Sequence, residues 1–255
     1  MKPEITSISY STALTFEMIT QNGFQTLGAP TFPSLREEAI YQANANTRSV
    51  LLFLQYKLSD RIVGTGSSLK DDWGIPYYRF LMHPKNKNNR HELLLNLEVL
   101  NHLVYYIAPE FHTMGGLYES LMNKTLLTNS TFWSPKSIGA LPANGERTTV
   151  SYKRGMHYGI LEPGKRRIDG AIKGEMLRGV INDRFETKQS EIYSNERLSH
   201  LGDQMLENYF KVLHTPKEER LVNDIRKGRD HIDPRDYLSL ISILLYDCYV
   251  YIVTK

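Results

Sequence analysis

The spacing of apolar residues changes along the chain, and each change marks an element. Over Ser9 to Ile19, Leu14, Met18 and Ile19 fall on neighbouring faces of a helical repeat, and Asn22-Gly23 closes it. Thr31-Phe32-Pro33-Ser34 is a turn, and Ser34 is a suitable N-cap. Leu35, Ala39 and Ala43 then recur every four residues, the buried stripe of a short helix. Glu37 and Glu38 stand in its first turn, where a helix N-terminus favours acids; Glu38 flanks the stripe and Glu37 points away. Val50 to Leu58 is apolar at nearly every position, the pattern of a central strand covered on both faces. Pro76 to Met82 predicts a second strand. Arg90 to Asn101 predicts a helix, striped by Leu93, Leu94, Leu97 and Leu100 and capped by Asn88 or Asn89. Leu103 to Ala108 predicts a closing strand, ended by Pro109.

The second half is less regular. Ser134 to Pro142 holds proline and glycine turns, and Val150 to Gly170 mixes short strand-like runs with Gly155, Gly159, Gly164 and Gly170. Helices are expected over Ser194 to Val212, where Leu198, Leu201, Met205 and Tyr209 are in phase, and over Lys217 to Lys227. Asp233-Pro234 pairs a cap with a first-turn proline, so a helix starts there and runs to about Asp247. Tyr249 to Val253 returns as a strand. The expected class is α/β, with a core over residues 1–112 and an irregular, mainly helical extension over 113–255 packed on it. A single continuous domain is the alternative.

Composition narrows this modestly. The chain has 255 residues, 41% hydrophobic and 23% charged, which suffices for a real core. A net charge of +3 permits nucleic-acid binding without requiring it. Cys248 is the only cysteine, so no internal disulfide and no paired-cysteine zinc site can form; in its apolar run it reads as a small buried hydrophobe. Tyr237 to Val253 is apolar but carries Ser239, Ser242 and Asp247 and falls short of the ~20 residues of a span, so it reads as a buried helix and strand. Met1-Lys2-Pro3-Glu4 leads into no apolar leader segment, and a cytoplasmic address is expected.

Candidate chemistry starts inside the central strand. Gln55 and Lys57 lie two residues apart, hence on one face, in a run where an unpartnered ammonium is expensive to bury. One reading puts Lys57 at the strand end, its ammonium reaching water, with Gln55 satisfied by backbone groups. The other makes the pair a site.

That stretch resembles the PD-(D/E)XK nuclease superfamily, the restriction-endonuclease-like fold. In that family a helix carries an acid, a following strand supplies an aspartate, and the next strand supplies a carboxylate or glutamine, one spacer and a lysine. A helix and a last strand complete an α-β-β-β-α-β core. The resemblance covers about the first 110 residues and implies Glu38 (or Glu37) as the helix acid, Gln55 and Lys57 as the strand pair, Arg90 to Asn101 as the helix and Leu103 to Ala108 as the last strand. It implies a metal-dependent nuclease hydrolysing phosphodiesters of nucleic acid, DNA foremost, with Mg²⁺ or Mn²⁺ held by Glu38, Asn44 and Gln55 and with Lys57 positioning water or stabilising developing charge. A role in bacterial defence against phage is implied in the same way. One residue departs from the pattern. Where the middle aspartate belongs, the best candidate is Asn44, its neutral isostere. It is a natural loss, an engineered Asp→Asn exchange, or not the equivalent position. As written, the motif holds at most one carboxylate, and weak metal binding is expected. The alternative function is a non-catalytic nuclease-like scaffold or adaptor in a multi-protein defence complex.

Other features weigh less. The basic loop His83 to Arg90 could contact phosphates through Lys85, Lys87 and Arg90 or be a solvated surface. Lys153-Arg154 and Lys165-Arg166-Arg167 read similarly. His112 follows the closing strand, where α/β sites often lie. His91-Glu92 lacks the second histidine of a zinc-protease helix, and Gly64-Thr65-Gly66-Ser67-Ser68 lacks the P-loop's ending, so it reads as a flexible loop. No G-x-S-x-G elbow is present.

Overall fold

A computed structural model describes residues 1–21, 25–26, 48–82, 89–142, 146–212 and 215–254. In chain order the elements are α1 (Ser7–Gln21), β1 (Gln25–Thr26), β2 (Arg48–Tyr56), β3 (Asp60–Ile62), α2 (Lys70–Trp73), β4 (Tyr77–Met82), α3 (Arg90–Val99) and β5 (Leu103–Pro109). There follow α4 (Met114–Met122), β6 (Ser130–Trp133), α5 (Pro135–Ile138), β7 (Thr148–Tyr152), β8 (Tyr158–Glu162), β9 (Arg166–Asp169), β10 (Ile172–Lys173) and α6 (Gly174–Glu186). The last are β11 (Glu191–Ile192), α7 (Asn195–Phe210), α8 (Pro216–Gly228), α9 (Pro234–Leu244) and β12 (Tyr249–Thr254). The fold is α/β. The predicted helix over 34–43 lies outside the described residues.

β2 is the axis of the main sheet. Every residue of it after Arg48 is buried. It runs parallel to β5, with Leu52 opposite Leu103 and Gln55 opposite Tyr106. On its other side it runs antiparallel to β12, with Leu54 opposite Tyr249. The strand order is β1-β12-β2-β5-β6-β10, with β11 pairing the start of β2. Both faces are covered, which is why the strand reads as an unbroken apolar run. Leu52, Leu54 and Ile107 pack under α1, α4 and α6 through Leu14, Leu117 and Leu177. Leu51, Phe53 and Val104 face the other way, toward Phe80, Val150, Leu93, Leu201 and Leu238. Each such Leu or Phe contributes about 1.5–3 kcal/mol by leaving water.

The second strand of the pattern, β4, does not join the main sheet. It belongs to an antiparallel sheet ordered β3-β4-β7-β8-β9, which packs across the Phe53 face. The glycines of the second half make this sheet's turns: Gly155 between β7 and β8 and Gly164 between β8 and β9 both have positive φ, 80° and 95°. Two helices were masked in the sequence by turn chemistry. α5 sits among the Ser134–Pro142 turns, where Ser134 caps it by accepting from Ser137 N at 3.1 Å and Pro135 opens it. α4 carries Gly115-Gly116 in its first turn, a pair that reads as a break, yet Thr113 caps it by accepting from Gly116 N at 3.1 Å.

The second half of the chain thus supplies strands to both sheets, and its last strand flanks β2. Behind that strand stand α7, α8 and α9. Asp233 caps α9 by accepting from Arg235 N, as the Asp-Pro signal predicts. Tyr246, at the end of α9, donates to Met205 O of α7 at 2.9 Å. Asp203 of α7 takes a forked pair from Arg229 at 2.8 and 2.7 Å and a third bond from Tyr237 at 3.0 Å. α7 and α9 approach closely because position 202 is glycine: a Cβ there would stand 2.7 Å from the Tyr237 ring. Gly202→Ala is therefore expected to destabilise the fold by about 1–3 kcal/mol despite alanine's better helix propensity. Urea unfolding checks this, and an unchanged or raised midpoint contradicts it.

Candidate functional site

The C-terminal end of β2 gathers polar groups from three distant segments. Gln55 is buried, with 2% exposure. Its Nε2 donates to Asp247 Oδ2 at 3.1 Å and, longer, to the Tyr246 carbonyl at 3.4 Å. Asp247 lies 192 residues further along the chain, in the turn between α9 and β12. Because β12 runs antiparallel beside β2, that turn opens next to the end of β2. Arg90, the first residue of α3, places a guanidinium nitrogen 3.2 Å from the same Asp247 oxygen. Lys57 stands one residue beyond β2, its amide donating to Ile107 O at 2.8 Å. It is partly buried, with its ammonium 5.3 Å from the centroid of the Tyr106 ring.

Lys57 is at the strand end and Gln55 meets a backbone carbonyl, yet the pair also faces a carboxylate and a second cation. Burial pulls the Lys57 ammonium down to about 8; Asp247 opposes that shift and Arg90 adds to it.

A further set of contacts fixes this cluster from behind. His91 Nε2 bonds the Gly139 carbonyl at 2.8 Å, so that nitrogen carries the proton of the neutral ring. Its Nδ1 then accepts from the Tyr106 hydroxyl at 2.8 Å. Burial lowers the His91 pKa, consistent with a neutral ring. With both nitrogens engaged, His91 serves as a strut that orients Tyr106 under Lys57 and anchors the start of α3. Asn89 occupies the N-cap position of α3 without a side-chain capping bond.

Of the residues the motif implies, Gln55 and Lys57 come together. Glu37, Glu38 and Asn44 lie outside the described residues, as do Lys85 and Lys87. Arg90, the last residue of the basic loop and expected to contact nucleic acid, meets the Gln55–Lys57 cluster through Asp247. Asp247 was missed. Its side chain is 52% exposed, so it costs little where it stands, and only the pairing of β12 with β2 brings it beside Gln55. Among the described residues no group of three or more His, Cys, Asp or Glu is arranged to hold a metal ion.

The other sequence features have structural partners. Lys153 donates to the Trp73 carbonyl, Arg154 to Asn129 and Lys165 to Asp72, while Arg166 donates to the Ile138 carbonyl and Arg167 pairs with Asp169. Ser67 bonds Tyr77 and Ser68 donates to Glu162, which ties down the Gly64–Ser68 loop. Cys248 is fully buried, which raises its thiol pKa. His112 is buried, its Nε2 without a hydrogen bond among the described residues, and burial lowers its pKa. Beyond β5, Glu110 and Lys173 form a buried ion pair joined by Thr131, which donates to Glu110 at 2.8 Å. No helix among the described residues is long and apolar enough to cross a membrane. No protein-family model, curated protein or solved structure matches the chain.

The Lys57 pKa gives a pH signature. Its folded value lies below its ordinary 10.5, so below pH 8 both folded and unfolded chains carry the charge and the fold bears the whole cost of burying it. Between about 8 and 10.5 the folded state has shed a proton the unfolded state still holds, and the cost fades. Lys57→Met is expected to stabilise the protein at pH 7 by roughly 1–3 kcal/mol, with the gain shrinking as pH rises through that window. Denaturant unfolding at pH 7 and pH 10 checks this. A loss at pH 7, or a gain that does not change with pH, contradicts it.

Proposed function

We propose that the chain is a metal-dependent nuclease acting on phosphodiester bonds of nucleic acid, DNA foremost, built on a restriction-endonuclease-like core and serving in bacterial defence. The observation that carries this reading is the position of Lys57: a costly, partly buried cation kept beside Gln55 at the open end of a parallel strand pair, in the Gln-x-Lys spacing of that superfamily. Supporting it, β2 reaches β5 through a connection that contains α3, and an antiparallel strand flanks β2 on its other side.

Among the described residues no group of three or more His, Cys, Asp or Glu is arranged to hold a metal ion. Asp247 Oδ2 accepts from Gln55 and lies 3.2 Å from Arg90, so that carboxylate is engaged by its neighbours. Glu38, Asn44 and Gln55 are the residues proposed to hold Mg²⁺, which takes one or two carboxylates and keeps several waters. When bound, the cation would lower the pKa of an attacking water and neutralise phosphate charge. The protein's own groups do the rest. Arg90 and Lys57 attract the phosphodiester, and Lys57 can hand over or accept a proton near pH 8. Tyr106 and His91 hold Lys57 and Arg90 in place.

A second reading, a non-catalytic nuclease-like scaffold or adaptor of a defence complex, is favoured by the neutral side chains at positions 44 and 55. One experiment separates the two. The chain as written, Asn44→Asp, and Asn44→Asp with Lys57→Ala are incubated with plasmid DNA and total RNA, with and without Mg²⁺ or Mn²⁺. The nuclease reading expects metal-dependent DNA cleavage, raised by Asn44→Asp and reduced about a hundredfold or more by Lys57→Ala. Silence from all three folded proteins rejects it in favour of the scaffold.

A further inference from the structure

We infer that the outer face of α1 and α4 is the interface of a two-fold homodimer, so that a second copy of the chain covers it.

The inference starts from what each helix turns toward water. In α1 the inward stripe is Tyr10, Leu14 and Met18, all fully buried against the main sheet. At about 100° per residue, Ile8, Phe16 and Ile19 fall within about 80° of one another on the opposite side. All three are exposed, Phe16 at 58%. α4 packs beside α1 in the same layer and buries Leu117. Its Met114, Tyr118 and Met122 follow at steps of four residues and form a second exposed apolar stripe, with Tyr118 at 66%.

A surface helix ordinarily turns charge outward. The only charged residue of α1 is Glu17, and it is buried, its two oxygens accepting from the Leu126 and Leu127 amides at 2.9 Å. α4 carries a single charge, Glu119. The layer therefore shows water a face with hydrophobic side chains and almost no charge.

Area, composition and charge each point to a second copy as the occupant. The six exposed side chains leave roughly 700 Å² of mainly apolar surface in water, above the ~300–600 Å² of a typical monomer's largest patch and close to the ~800 Å² that each partner gives to a standard interface. Met, Phe and Tyr are the residues enriched at the cores of interfaces, where charges are depleted. A two-fold axis sets a patch against itself, so charge on it would meet its own like; a nearly neutral face avoids that penalty. A charged partner, by contrast, would find no counter-charge on α1. The dimer also leaves the candidate site open. α1 and α4 cover the Leu52–Leu54 face of β2, whereas Gln55 shares the face of Phe53.

The test is sedimentation equilibrium of the full chain from low-micromolar to submillimolar concentration. It compares the wild type, Phe16→Glu, Tyr118→Glu and a control, Val99→Glu, at an exposed position of α3 in the other layer. Melting temperatures establish that each variant is folded, and either patch variant alone decides the matter should the other fail to fold. A dimer is expected, with Phe16→Glu and Tyr118→Glu each raising its dissociation constant about thirtyfold or more and Val99→Glu leaving it unchanged. A wild-type chain that stays monomeric throughout overturns the proposal, as does a dimer that the folded patch variants leave intact. A monomer that sediments with phosphatidylcholine vesicles, and ceases to with Phe16→Glu, also overturns it and makes the occupant a membrane surface.

Discussion

A strand covered on both faces has no water of its own, so each polar group it carries must be met by other parts of the protein. β2 is such a strand, and it carries Gln55 within it and Lys57 just past its end. Satisfying those two groups draws together segments that are far apart in sequence. The α9–β12 turn brings Asp247, α3 brings Arg90 and His91, and β5 brings Tyr106. Much of the second half of the chain can be understood as what holds that turn in place. β12 is zipped to β2 from Tyr249 to Thr254, and α7 clasps α9 through Gly202, Asp203 and Met205.

Among the described residues Lys57 and Arg90 both face Asp247, and burial pulls the Lys57 ammonium down to about 8. A surface salt bridge would add little stability, and nothing in the packing of β2 against β5 and β12 demands charge at this end. The cost falls where the sheet opens, at the C-terminal end of a parallel pair, a common place for sites in α/β folds. Charges kept at a cost in such a place favour a ligand over a purely structural role.

Much of the skeleton was legible in the sequence because the relevant signals are local. The double-sided burial of β2, the Leu stripe of α3 and the Asp-Pro start of α9 each follow from a few neighbouring residues. The parts that escaped are non-local or ambiguous. Nothing in Tyr77–Met82 says that the strand pairs with Thr148–Tyr152 in a separate sheet and not with β2. Gly115-Gly116 conceals a helix because glycine there is read as a break. At the site, Gln55 and Lys57 could be singled out by their cost in an apolar run, whereas Asp247 could be recognised as their partner only once the pairing of β12 with β2 was known. Glu38 and Asn44, which the family pattern supplies, are outside the described residues, so the motif and the geometry meet only at Gln55 and Lys57.

The central proposal is that the end of β2, with Gln55 and Lys57, is where nucleic acid is bound and cut. The most direct measurement is diffraction from crystals of the chain grown with a short DNA duplex. The account predicts a backbone phosphate within hydrogen-bond reach of Lys57 and Arg90. A duplex bound on another face, with Lys57 and Arg90 untouched, would contradict it.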